Sequence, residues 1–334
     1  ICYTSGTTGQ AKGVVLTQNN LLANIIQMDQ TIEIEDDDVF LSILPVHHTF
    51  ECTCGFLYPI THGVSIYICR GIRSIAEDMV DSKATVLLAV PLLWEAMYRK
   101  IKNSINSMPA GNFKYRLGLT LSAIGEIFGS GGVRKKVFSK VHDKLGGRMK
   151  YCISGGAGIA PEVVDGFMKL GFTFLQGYGL TETAPIISVN KPEANRVGSV
   201  GPALPGITVR IDEPDTLGNG EIVVKGPNIM KGYYKNPEAT AEVLSKDGWF
   251  RTGDYGHVDD DGYIFITGRK KNVIVAKNGK NVYPEEIELN IGKDTRIIEC
   301  MVAGKKTETK GEEIWLIVVP DMEMFIEEAE QQGF

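Results

Sequence analysis

The sequence predicts an α/β fold in which mostly parallel sheets are flanked by helices. Apolar runs with the length of buried strands recur along the first half of the chain, and segments with helical periodicity separate them. Such alternation is typical of a parallel sheet, whose strands are apolar on both faces. The runs cover residues 39–46, 63–69, 84–90, 149–154 and 172–175.

Helix signals lie between these runs. Thr17 is expected to cap a helix, because its hydroxyl can accept a hydrogen bond from a backbone amide in the first turn. The apolar face of this helix is predicted to contain Leu21, Leu22, Ile25 and Ile26. From residue 91 to residue 150 the pattern is helical and rich in lysine and arginine.

After Pro185 the sequence changes character. Short strand-like runs at residues 209–211 and 221–224 alternate with glycine turns, which predicts a small, distorted β-barrel-like subdomain. A truncated α+β C-terminal domain that ends in an acidic helix is expected to follow. The predicted domains are residues 1–184, the α/β part of a large domain; residues 185–268, its β-rich subdomain; and residues 269–334, a hinge with part of a small C-terminal domain.

Composition argues against several classes of protein. Hydrophobic residues make up 43% of the 334 residues and charged residues 23%, which are ordinary globular values. The net charge of −6 argues against a broad nucleic-acid-binding face. The six cysteines form no CxxC pair, and no apolar run is long enough to span a bilayer, so a cytoplasmic location is expected.

A loop rich in glycine and hydroxyl groups near the start of the chain predicts a phosphate-binding site. Its glycines let the backbone approach an anion, and Lys12 supplies a positive charge. The spacing differs from the Walker loop, because Gly13 follows Lys12 where Ser or Thr should stand. The apolar run at residues 13–16 predicts that the loop joins two strands, and a plain surface turn is the alternative. The candidate residues are Thr4, Ser5, Gly6, Thr7, Thr8, Gly9 and Lys12.

Two further glycine-rich corners follow predicted strands, at residues 154–158 and 176–183. Neither matches a dinucleotide fingerprint, because in the second corner Glu182 stands where a third glycine is needed. Beside a phosphate loop, the Glu182 carboxylate is suited to holding Mg²⁺. Tyr178 offers a ring face for stacking on adenine. The alternatives are that Glu182 is a solvated acid in a turn and that Tyr178 only packs at the edge of a sheet.

Two more positions leave a choice open. The Asp254 carboxylate can accept hydrogen bonds from both hydroxyls of a ribose, or it can be a turn acid opposite Arg251. The basic run at residues 269–271 is either a solvated face or, between two segments of different composition, a hinge or an anion contact.

A histidine pair follows the corner at Pro45. His47 and His48 with the nearby cysteines Cys52 and Cys54 match no familiar zinc spacing, which disfavours a metal cluster. A histidine that lines a substrate cleft is the favoured interpretation.

Six motifs in this order resemble those of the adenylate-forming superfamily, which includes acyl-CoA synthetases, peptide-synthetase adenylation domains and luciferases. They are YTSGTTGQAKGV, LPVHHTFE, SGGAG, QGYGLTET, GWFRTGD and GRKKNVIVAKNGKNVYPEEIE. Within that superfamily, the stretches HTFE, VPLLWE and LGGR are most similar to long-chain fatty acyl-CoA synthetases. The resemblance covers nearly the whole chain and implies that the predicted large domain is an AMP-binding domain.

The resemblance implies a role for each matching residue in the first part of the chain. Residues 4–9 and Lys12 would bind the β- and γ-phosphates of ATP and later pyrophosphate. Thr181 would contact the α-phosphate, and Glu182 would hold Mg²⁺. The residues implied to enclose adenine, with Gln176 at its amino group, are Gly155, Gly156, Ala157, Gln176, Gly177, Tyr178 and Gly179.

The later motifs complete the implied site. Asp254 would bind the ribose hydroxyls, and Arg269 would brace the ribose or a phosphate. Lys271 occupies the family's hinge position, and His48 would line the acyl site. Many members carry an acidic residue after the hinge; Asn272 stands here instead, so it receives no catalytic role.

The implied reaction has two steps. A fatty acid carboxylate attacks the α-phosphorus of MgATP to give acyl-AMP and pyrophosphate, and coenzyme A then displaces AMP to give a thioester. The implied partners are therefore ATP and AMP, Mg²⁺, a fatty acid and coenzyme A. Negative charge develops in the transition states of both steps. Preorganised cations and backbone amides would stabilise that charge.

The family's adenylation lysine belongs to a Gly-Lys motif beyond the region matched here. Upstream strands of the acyl site are also expected to be missing. We therefore expect a fragment that keeps most of the nucleotide site and adenylates poorly.

Three alternatives stay open at this point. One is a ligase of the same superfamily for an aryl acid or an amino acid, or one that uses a carrier protein as acceptor. Another is a non-catalytic regulator that binds nucleotides. A peripheral contact with a membrane surface is a further hypothesis, suggested by the basic helical region and a lipid substrate.

Overall fold

The computed structural model describes residues 1–4, 11–108, 111–127, 132–276, 281–294, 296–306, 312–322 and 324–326. The chain divides into two units by its internal contacts. The first contains Ile1–Val209, Val224–Phe250 and Asp259–Ile264, and the second contains Arg210–Val223, Arg251–Val258 and Phe265–Phe334. The domain boundaries at residues 184 and 268 stay predictions.

The regular elements are numbered here in chain order. The strands are β1 (Cys2–Thr4), β2 (Lys12–Val15), β3 (Val39–Ser42), β4 (Ser65–Ile68), β5 (Val86–Ala89), β6 (Tyr151–Ser154), β7 (Thr173–Gly179), β8 (Ile186–Val189), β9 (Thr208–Asp212), β10 (Gly220–Lys225), β11 (Gly232–Tyr233), β12 (Phe250–Val258), β13 (Ile264–Arg269), β14 (Ile274–Val275), β15 (Asn281–Val282), β16 (Ile297–Lys306) and β17 (Glu312–Pro320). The α-helices are α1 (Gln18–Asp29), α2 (Tyr58–His62), α3 (Ile75–Ser82), α4 (Pro91–Asn106), α5 (Gly111–Ile127), α6 (Val133–Val137), α7 (Ser139–Lys144), α8 (Pro161–Lys169), α9 (Pro237–Val243) and α10 (Pro284–Ile291). A π-helix covers Phe50–Leu57, and 3₁₀ helices cover Ile72–Ser74, Thr181–Thr183 and Lys270–Asn272.

A six-stranded sheet in the order β4-β3-β5-β6-β7-β8 dominates the first unit. Its strands pair in parallel except β8, which is antiparallel to β7. The predicted α/β class with a mostly parallel sheet is therefore confirmed. The predicted strand at residues 39–46 ends earlier, at Ser42, because the chain turns at Pro45, whose carbonyl accepts a hydrogen bond from the His48 amide.

Alternating residues of this sheet pack into two different apolar layers. Leu87 and Ala89 of β5 face a core that includes Trp94 of α4 and Phe167 of α8. Val86 and Leu88 face the opposite side, where side chains of α1 and the π-helix cover the sheet. Because both faces of β5 are covered, ligands have access to the sheet at its strand ends.

Helix α1 begins as predicted but buries a different face. Thr17 and Asn20 form a capping box, in which each side chain accepts a hydrogen bond from the other residue's backbone amide. Of the predicted apolar face, Leu22 and Ile26 are exposed. The buried face instead contains Asn20, Asn24, Ile25, Gln27 and Met28, because the two asparagines form hydrogen bonds with backbone groups of remote segments.

The β-rich segment after residue 200 contains a four-stranded sheet in the order β13-β12-β10-β9. Within the part of the chain that the structure describes, this sheet is open, so the expected barrel-like closure is wrong. The second unit also contains α10 and an antiparallel hairpin of β16 and β17. The predicted acidic terminal helix falls largely on residues 327–334, which lie outside the described residues.

Among the described residues, no helix is both long and apolar enough to cross a bilayer.

Candidate functional site

The predicted phosphate loop connects two paired strands. Strands β1 and β2 are antiparallel, and Thr4 lies directly opposite Lys12, so the loop closes a hairpin. This confirms the prediction that the loop joins strand to strand and not strand to helix. The loop residues Ser5, Gly6, Thr7, Thr8 and Gly9 lie outside the described residues.

Tyr233 links the base of this hairpin to the second glycine corner. Strand β11 pairs with β2, and the Lys12 ammonium lies 5.0 Å from the centroid of the Tyr233 ring. On its other side, the Tyr233 hydroxyl donates a 2.8 Å hydrogen bond to the Glu182 carboxylate. Burial, with the Glu182 carboxylate adding to it, raises the pKa of Tyr233, so the hydroxyl stays protonated as a donor. Sequence reasoning missed Tyr233, because no local pattern marks a contact across 51 positions.

Two buried asparagines hold the turn that carries Thr181 and Glu182. The Asn228 amide donates to the carbonyls of Thr183 and Ile186 at 2.8 and 3.0 Å. The Asn24 side chain donates to the Ile186 carbonyl and accepts from the Ile186 amide, at 2.9 and 3.0 Å. Since both asparagines are fully buried, the turn has a fixed position within the first unit.

Gly179 has no space for a side chain. A Cβ atom there would lie 1.8 Å from the Pro185 carbonyl oxygen. The Leu180 amide donates to that same oxygen at 2.9 Å, so the two strands of the corner approach closely at this point. Gly177 differs, because a Cβ there would make only ordinary contacts. Tyr178 between them is half-buried.

The first glycine corner lies beside the second. Ser154 at the end of β6 pairs in register with Gln176 of β7. The Ser154 hydroxyl oxygen and the Gln176 side-chain carbonyl oxygen are both buried, and neither has a hydrogen-bond partner among the described residues. Such unpaired polar atoms are rare in a folded interior and can mark a place where a polar ligand binds.

Glycines also shape this first corner. A Cβ atom on Gly155 would lie 3.0 Å from the Phe50 ring, so the start of the π-helix packs closely against it. Gly156 has a φ of +85°, a left-handed conformation that glycine adopts without strain. Gly156 and Ala157 are exposed. The backbone of this corner is therefore accessible to a ligand.

The histidine segment precedes the π-helix. His47 and His48 are exposed, with ring centroids 4.4 Å apart. In the described residues, no group of three or more His, Cys, Asp and Glu is arranged to hold a metal ion. Because Phe50 contacts Gly155, the His48 segment and the first glycine corner are neighbours.

A buried acid anchors this histidine segment, and sequence reasoning missed its role. Glu51 is 1% exposed and accepts a 2.5 Å hydrogen bond from the Ser42 hydroxyl. Burial raises the pKa of the Glu51 carboxyl, while hydrogen bonds from Ser42 and the Leu44 backbone oppose that shift. Gly55 leaves the necessary space, since a Cβ there would lie 2.7 Å from the carboxyl group.

The second unit holds the remaining predicted residues. Asp254 is buried, and the Arg269 guanidinium forms an ion pair with it at 2.8 Å. Arg251, considered above as a partner of Asp254, forms ion pairs with Asp212 and Glu221 at 2.8 and 2.7 Å.

The predicted hinge residue lies inside this second unit. Lys271 belongs to the 3₁₀ helix that directly follows β13. Its neighbour Asn272 donates a 2.7 Å hydrogen bond to Glu285, which also accepts from the Arg269 amide. The hinge role of Lys271 stays a prediction.

An apolar pocket lies on the α1 side of the central sheet, within the first unit. The lining extends from Met28 and Ile32 through Phe50 and Leu88 to Gly177. The pocket therefore reaches one of the residues predicted to bind the nucleotide. Such a lining suits an apolar group.

Comparisons with known proteins identify the family of this chain. The profile of the AMP-binding enzyme family matches residues 1–234. The peroxisomal long chain acyl-CoA synthetase 7 of Arabidopsis thaliana is 35% identical over 91% of this chain and 45% of its own length. The long-chain-fatty-acid–CoA ligase 5 of Mus musculus is 34% identical over 96% of this chain and 49% of its own length.

The chain is also similar to a solved structure. The crystal structure of ATP-bound MatB from Rhodopseudomonas palustris is 32% identical, with a TM-score of 0.76 over 96% of this chain and 58% of the MatB chain. The chain thus spans about half the length of the curated relatives it matches. Since the family profile covers more than half of the 334 residues, the chain belongs to the AMP-binding enzyme family.

Proposed function

We propose that the protein takes part in the ATP-dependent activation of a long-chain fatty acid. In the first step a carboxylate oxygen forms a bond to the α-phosphorus of ATP, and the bond to pyrophosphate breaks. In the second step the sulfur of coenzyme A attacks the acyl carbon, and AMP leaves with the electron pair of the broken C–O bond. The similarity to a long chain acyl-CoA synthetase and to a long-chain-fatty-acid–CoA ligase supports this class of reaction.

The nucleotide assignments rest on the sequence motifs and on features of the first unit. We assign residues 4–9 and Lys12 to the β- and γ-phosphates, and Thr181 to the α-phosphate. Adenine is assigned to the corner of residues 155–157 and to Tyr178. The unpaired carbonyl oxygen of Gln176 supports this assignment, because an acceptor without a donor suits the exocyclic amino group of adenine.

Glu182 is the proposed ligand of Mg²⁺. Hard divalent cations prefer carboxylate oxygens, and Tyr233 donates to only one oxygen of this carboxylate. When bound, Mg²⁺ would neutralise the charge of the triphosphate. Tyr233 then serves as a positioning residue that holds the carboxylate in one orientation.

The remaining assignments follow the resemblance. Asp254 is proposed to bind the ribose hydroxyls, and its burial beside Arg269 supports a defined orientation for the carboxylate. Arg269 is proposed to brace the ribose or a phosphate, and Lys271 to be the hinge. His48 is proposed to line the acyl site, where Glu51 would fix the backbone that leads to it.

The apolar pocket is the observation that carries the proposed substrate class. Its lining includes Met28, Phe50 and Leu88, and it ends at Gly177 beside the proposed adenine site. Burying a methylene group contributes about 0.8 kcal/mol, or roughly fourfold in affinity. An acyl chain that enters this pocket should therefore bind more tightly as it lengthens.

A series of acyl-sulfamoyl adenosines tests this proposal by direct binding to the 334-residue chain. These stable mimics of acyl-adenylates would carry acetyl, octanoyl, hexadecanoyl and benzoyl groups, with affinities measured by calorimetry. We expect the hexadecanoyl mimic to bind about 200-fold more tightly than the acetyl mimic, as about four buried methylenes at about 0.8 kcal/mol each would give. Tightest binding of the benzoyl mimic would overturn the fatty acid assignment, and absence of binding by every mimic would overturn the whole proposal.

A matched pair of glycine variants tests whether the apolar pocket is the site where the acyl chain binds. Gly177→Ala adds a methyl group to the pocket wall, whereas Gly158→Ala adds one where no atom lies within 4 Å. We expect the first variant to reduce the advantage of the long acyl chain several-fold and the second to leave it unchanged. An equal effect of both variants would argue against the pocket as the acyl site.

A further inference from the structure

The histidine that ends α2 lies between hydrogen-bond acceptors. The Nε2 atom of His62 is 2.7 Å from a carboxylate oxygen of Asp29, the last residue of α1. Its Nδ1 atom is 3.0 Å from the backbone carbonyl oxygen of Tyr58, one turn earlier in the same helix. The hydroxyl of Thr61 lies 3.4 Å from Nδ1 but donates its own proton to the Tyr58 carbonyl at 2.7 Å. Each ring nitrogen therefore faces an acceptor.

This arrangement favours the protonated form of the ring. A neutral imidazole carries one N–H and can donate once, whereas the imidazolium has an N–H at both nitrogens. In the neutral form, the lone pair of one nitrogen would face an acceptor oxygen, and one of the two hydrogen bonds would be lost. His62 also lies in the last turn of its helix, and the carboxyl end of a helix favours a cation.

The pKa of the ring agrees with this preference. Burial lowers the pKa of His62, but the hydrogen bonds to the Tyr58 carbonyl and the Asp29 carboxylate outweigh burial and raise the pKa above its ordinary value of 6.5. In the described part of the chain, Asp29 is the carboxylate within ion-pair distance of this ring. The ring is therefore protonated over a wider range of pH in the folded chain than in the unfolded chain.

The titratable side chains on the neighbouring elements face away from this ring. Glu51, in the π-helix that leads into α2, accepts its hydrogen bond from Ser42. Tyr67 of the neighbouring strand β4 packs against the core on the other side of the sheet. Glu35, beyond the end of α1, forms an ion pair with Lys150. The charge of the ring therefore depends on the partners described above.

The hydrogen bonds of His62 lie directly behind the wall of the apolar pocket. Tyr58 lines the pocket, and its ring meets the His62 ring edge-on with centroids 4.6 Å apart. Met28, which precedes Asp29, lines the pocket from α1. The Tyr58 hydroxyl donates a 3.0 Å hydrogen bond to the carbonyl of Ile32, which also belongs to the lining. The ion pair therefore joins the two helices that form this part of the wall.

We propose that His62 and Asp29 form a proton-dependent clasp that holds α1 against α2 and determines how tightly the pocket binds a long acyl chain. His62 is a positioning residue, because it contacts the pocket wall and does not line the pocket. The inference rests on the proposed function, in which this pocket receives the acyl chain. With the ring protonated, the wall is ordered before the ligand binds, so binding costs less conformational entropy. Loss of the proton breaks one hydrogen bond of the clasp and loosens the wall.

The direction of the pH effect follows from the raised pKa. The stabilisation that the clasp provides is fully present below pH 6.5 and is lost as the pH rises through the folded-state pKa of His62. We therefore expect the preference for the hexadecanoyl over the acetyl mimic to be about fivefold larger at about pH 6 than at about pH 9, the upper range for a partly exposed ion pair. Titrations in the nucleotide site cancel in this ratio, because both mimics carry the same adenosine.

Nuclear magnetic resonance of the imidazole nitrogens tests the clasp without an activity measurement. The 334-residue chain with isotope-labelled histidine is titrated alone, with the acetyl mimic and with the hexadecanoyl mimic. Coupling between two binding events is reciprocal, so a mimic that binds better to the closed clasp must raise the pKa of His62. We expect the hexadecanoyl mimic to raise this pKa and the acetyl mimic to leave it unchanged.

Two variants remove the clasp, and two controls leave it intact. His62→Gln removes the titrating ring and identifies its signals, and Asp29→Asn removes the charge that favours the imidazolium. Both should abolish the pH dependence of the hexadecanoyl preference. His257→Gln, at a half-buried histidine of the second unit, and Asp165→Asn, which removes an exposed ion pair with Lys169, should keep it. Circular dichroism shows that each variant is folded before it is compared.

The outcomes separate this inference from the proposed function. If the hexadecanoyl mimic keeps its preference but neither that preference nor the pKa of His62 responds as stated, the clasp is wrong and the acyl pocket stands. If no mimic binds although Asp29→Asn lowers the pKa of His62, the proposed function is wrong and this proposal is overturned with it. If the pKa of His62 is ordinary in the free chain and unchanged in Asp29→Asn, the ion pair does not form in solution and the proposal is overturned.

Discussion

The hydroxyl of Tyr233 donates to the carboxylate of Glu182 at 2.8 Å, while the Lys12 ammonium lies over the ring of the same tyrosine. One side chain thus contacts the end of the proposed phosphate loop and the proposed Mg²⁺ ligand. Both contacts belong to the first unit, so their geometry is fixed by one body of the protein. The position of the carboxylate should therefore depend on the tyrosine.

Tyr233→Phe should weaken the binding of MgATP about tenfold. The phenylalanine ring keeps the contact with Lys12, but the Glu182 carboxylate loses a charge-assisted hydrogen bond of about 1.5–3 kcal/mol. Calorimetric titration of MgATP into the folded variant measures the change. The control is Tyr234→Phe, at the neighbouring exposed tyrosine. An unchanged MgATP affinity in Tyr233→Phe would show that Tyr233 does not position the ligand.

Asn228→Ala should destabilise the fold by about 1–3 kcal/mol. The substitution leaves the buried Thr183 carbonyl without its donor and removes one of two donors from the Ile186 carbonyl. Urea unfolding measures the loss. Asn290→Ala, which removes an exposed hydrogen bond within α10, should change stability by less than about 0.5 kcal/mol. Equal losses in both variants would contradict the anchoring role of Asn228.

Gly179→Ala should be the more damaging of two glycine substitutions. Its Cβ would lie 1.8 Å from the Pro185 carbonyl oxygen, so the second corner must shift, at a cost of about 1–3 kcal/mol. Thermal unfolding together with MgATP titration would detect the lost stability and the displaced turn. Gly158→Ala places its methyl group in open space and serves as the control. Wild-type stability in Gly179→Ala would contradict the close approach.

Glu51→Gln should change how stability depends on pH. Burial raises the pKa of Glu51 above its ordinary value of 4.5, so the folded state favours the protonated acid. The stabilising contribution of the protonated acid is fully present below pH 4.5 and is lost as the pH rises through the folded-state pKa. Glutamine does not titrate, so the variant should lose less stability than the wild type over that range.

Urea unfolding of both proteins from pH 4 to pH 8 measures this difference. Glu299→Gln is the control, since Glu299 is an exposed residue of β16. Parallel stability curves for wild type and Glu51→Gln would show that Glu51 titrates alike in the folded and unfolded states.

Asp254→Asn should reduce the preference for a nucleotide with free ribose hydroxyls. We expect ATP to lose about tenfold in affinity and 2′,3′-dideoxy-ATP to lose little, because hydrogen bonds to a charged group contribute about 1.5–3 kcal/mol. The comparison of two nucleotides separates a lost contact from a general loss of folding. Asp212→Asn, which removes a partner of Arg251, is the control. If ATP and the dideoxy nucleotide weaken equally, Asp254 does not bind the ribose.

The sequence predicts the sheet of the first unit well. Its strands are short, continuous apolar runs, and such runs are typical of a parallel sheet that is covered on both faces. It also predicts the strand-to-strand phosphate loop, since the apolar residues Val14 and Val15 directly follow Gly13. It fails on the buried face of α1. Hydropathy assigns Leu22 and Ile26 to the interior, whereas hydrogen bonds to remote carbonyls bring Asn20 and Asn24 there.

The missed site residues share a physical cause. Tyr233 contacts Lys12 and Glu182, and Glu51 accepts hydrogen bonds from Ser42 and Leu44, through contacts that only the folded chain forms. A sequence pattern reports only periodicity and local turns. Glu51 also violates the usual exposure of carboxylates, so composition places it on the surface. The open alternative for Asp254, a turn acid opposite Arg251, names the basic residue that is near in sequence, whereas the ion pair of Asp254 is formed with Arg269.

The backbone N–H and C=O groups of Ile186 form hydrogen bonds with side chains. Its amide donates to Asn24, and its carbonyl accepts from both Asn24 and Asn228, so side chains from two distant segments replace the usual strand ladder. The exchange of this amide proton with solvent deuterium therefore requires Asn24 to withdraw. The exchange rate of this one amide therefore measures how often α1 separates from the segment that follows the Glu182 turn in the native state.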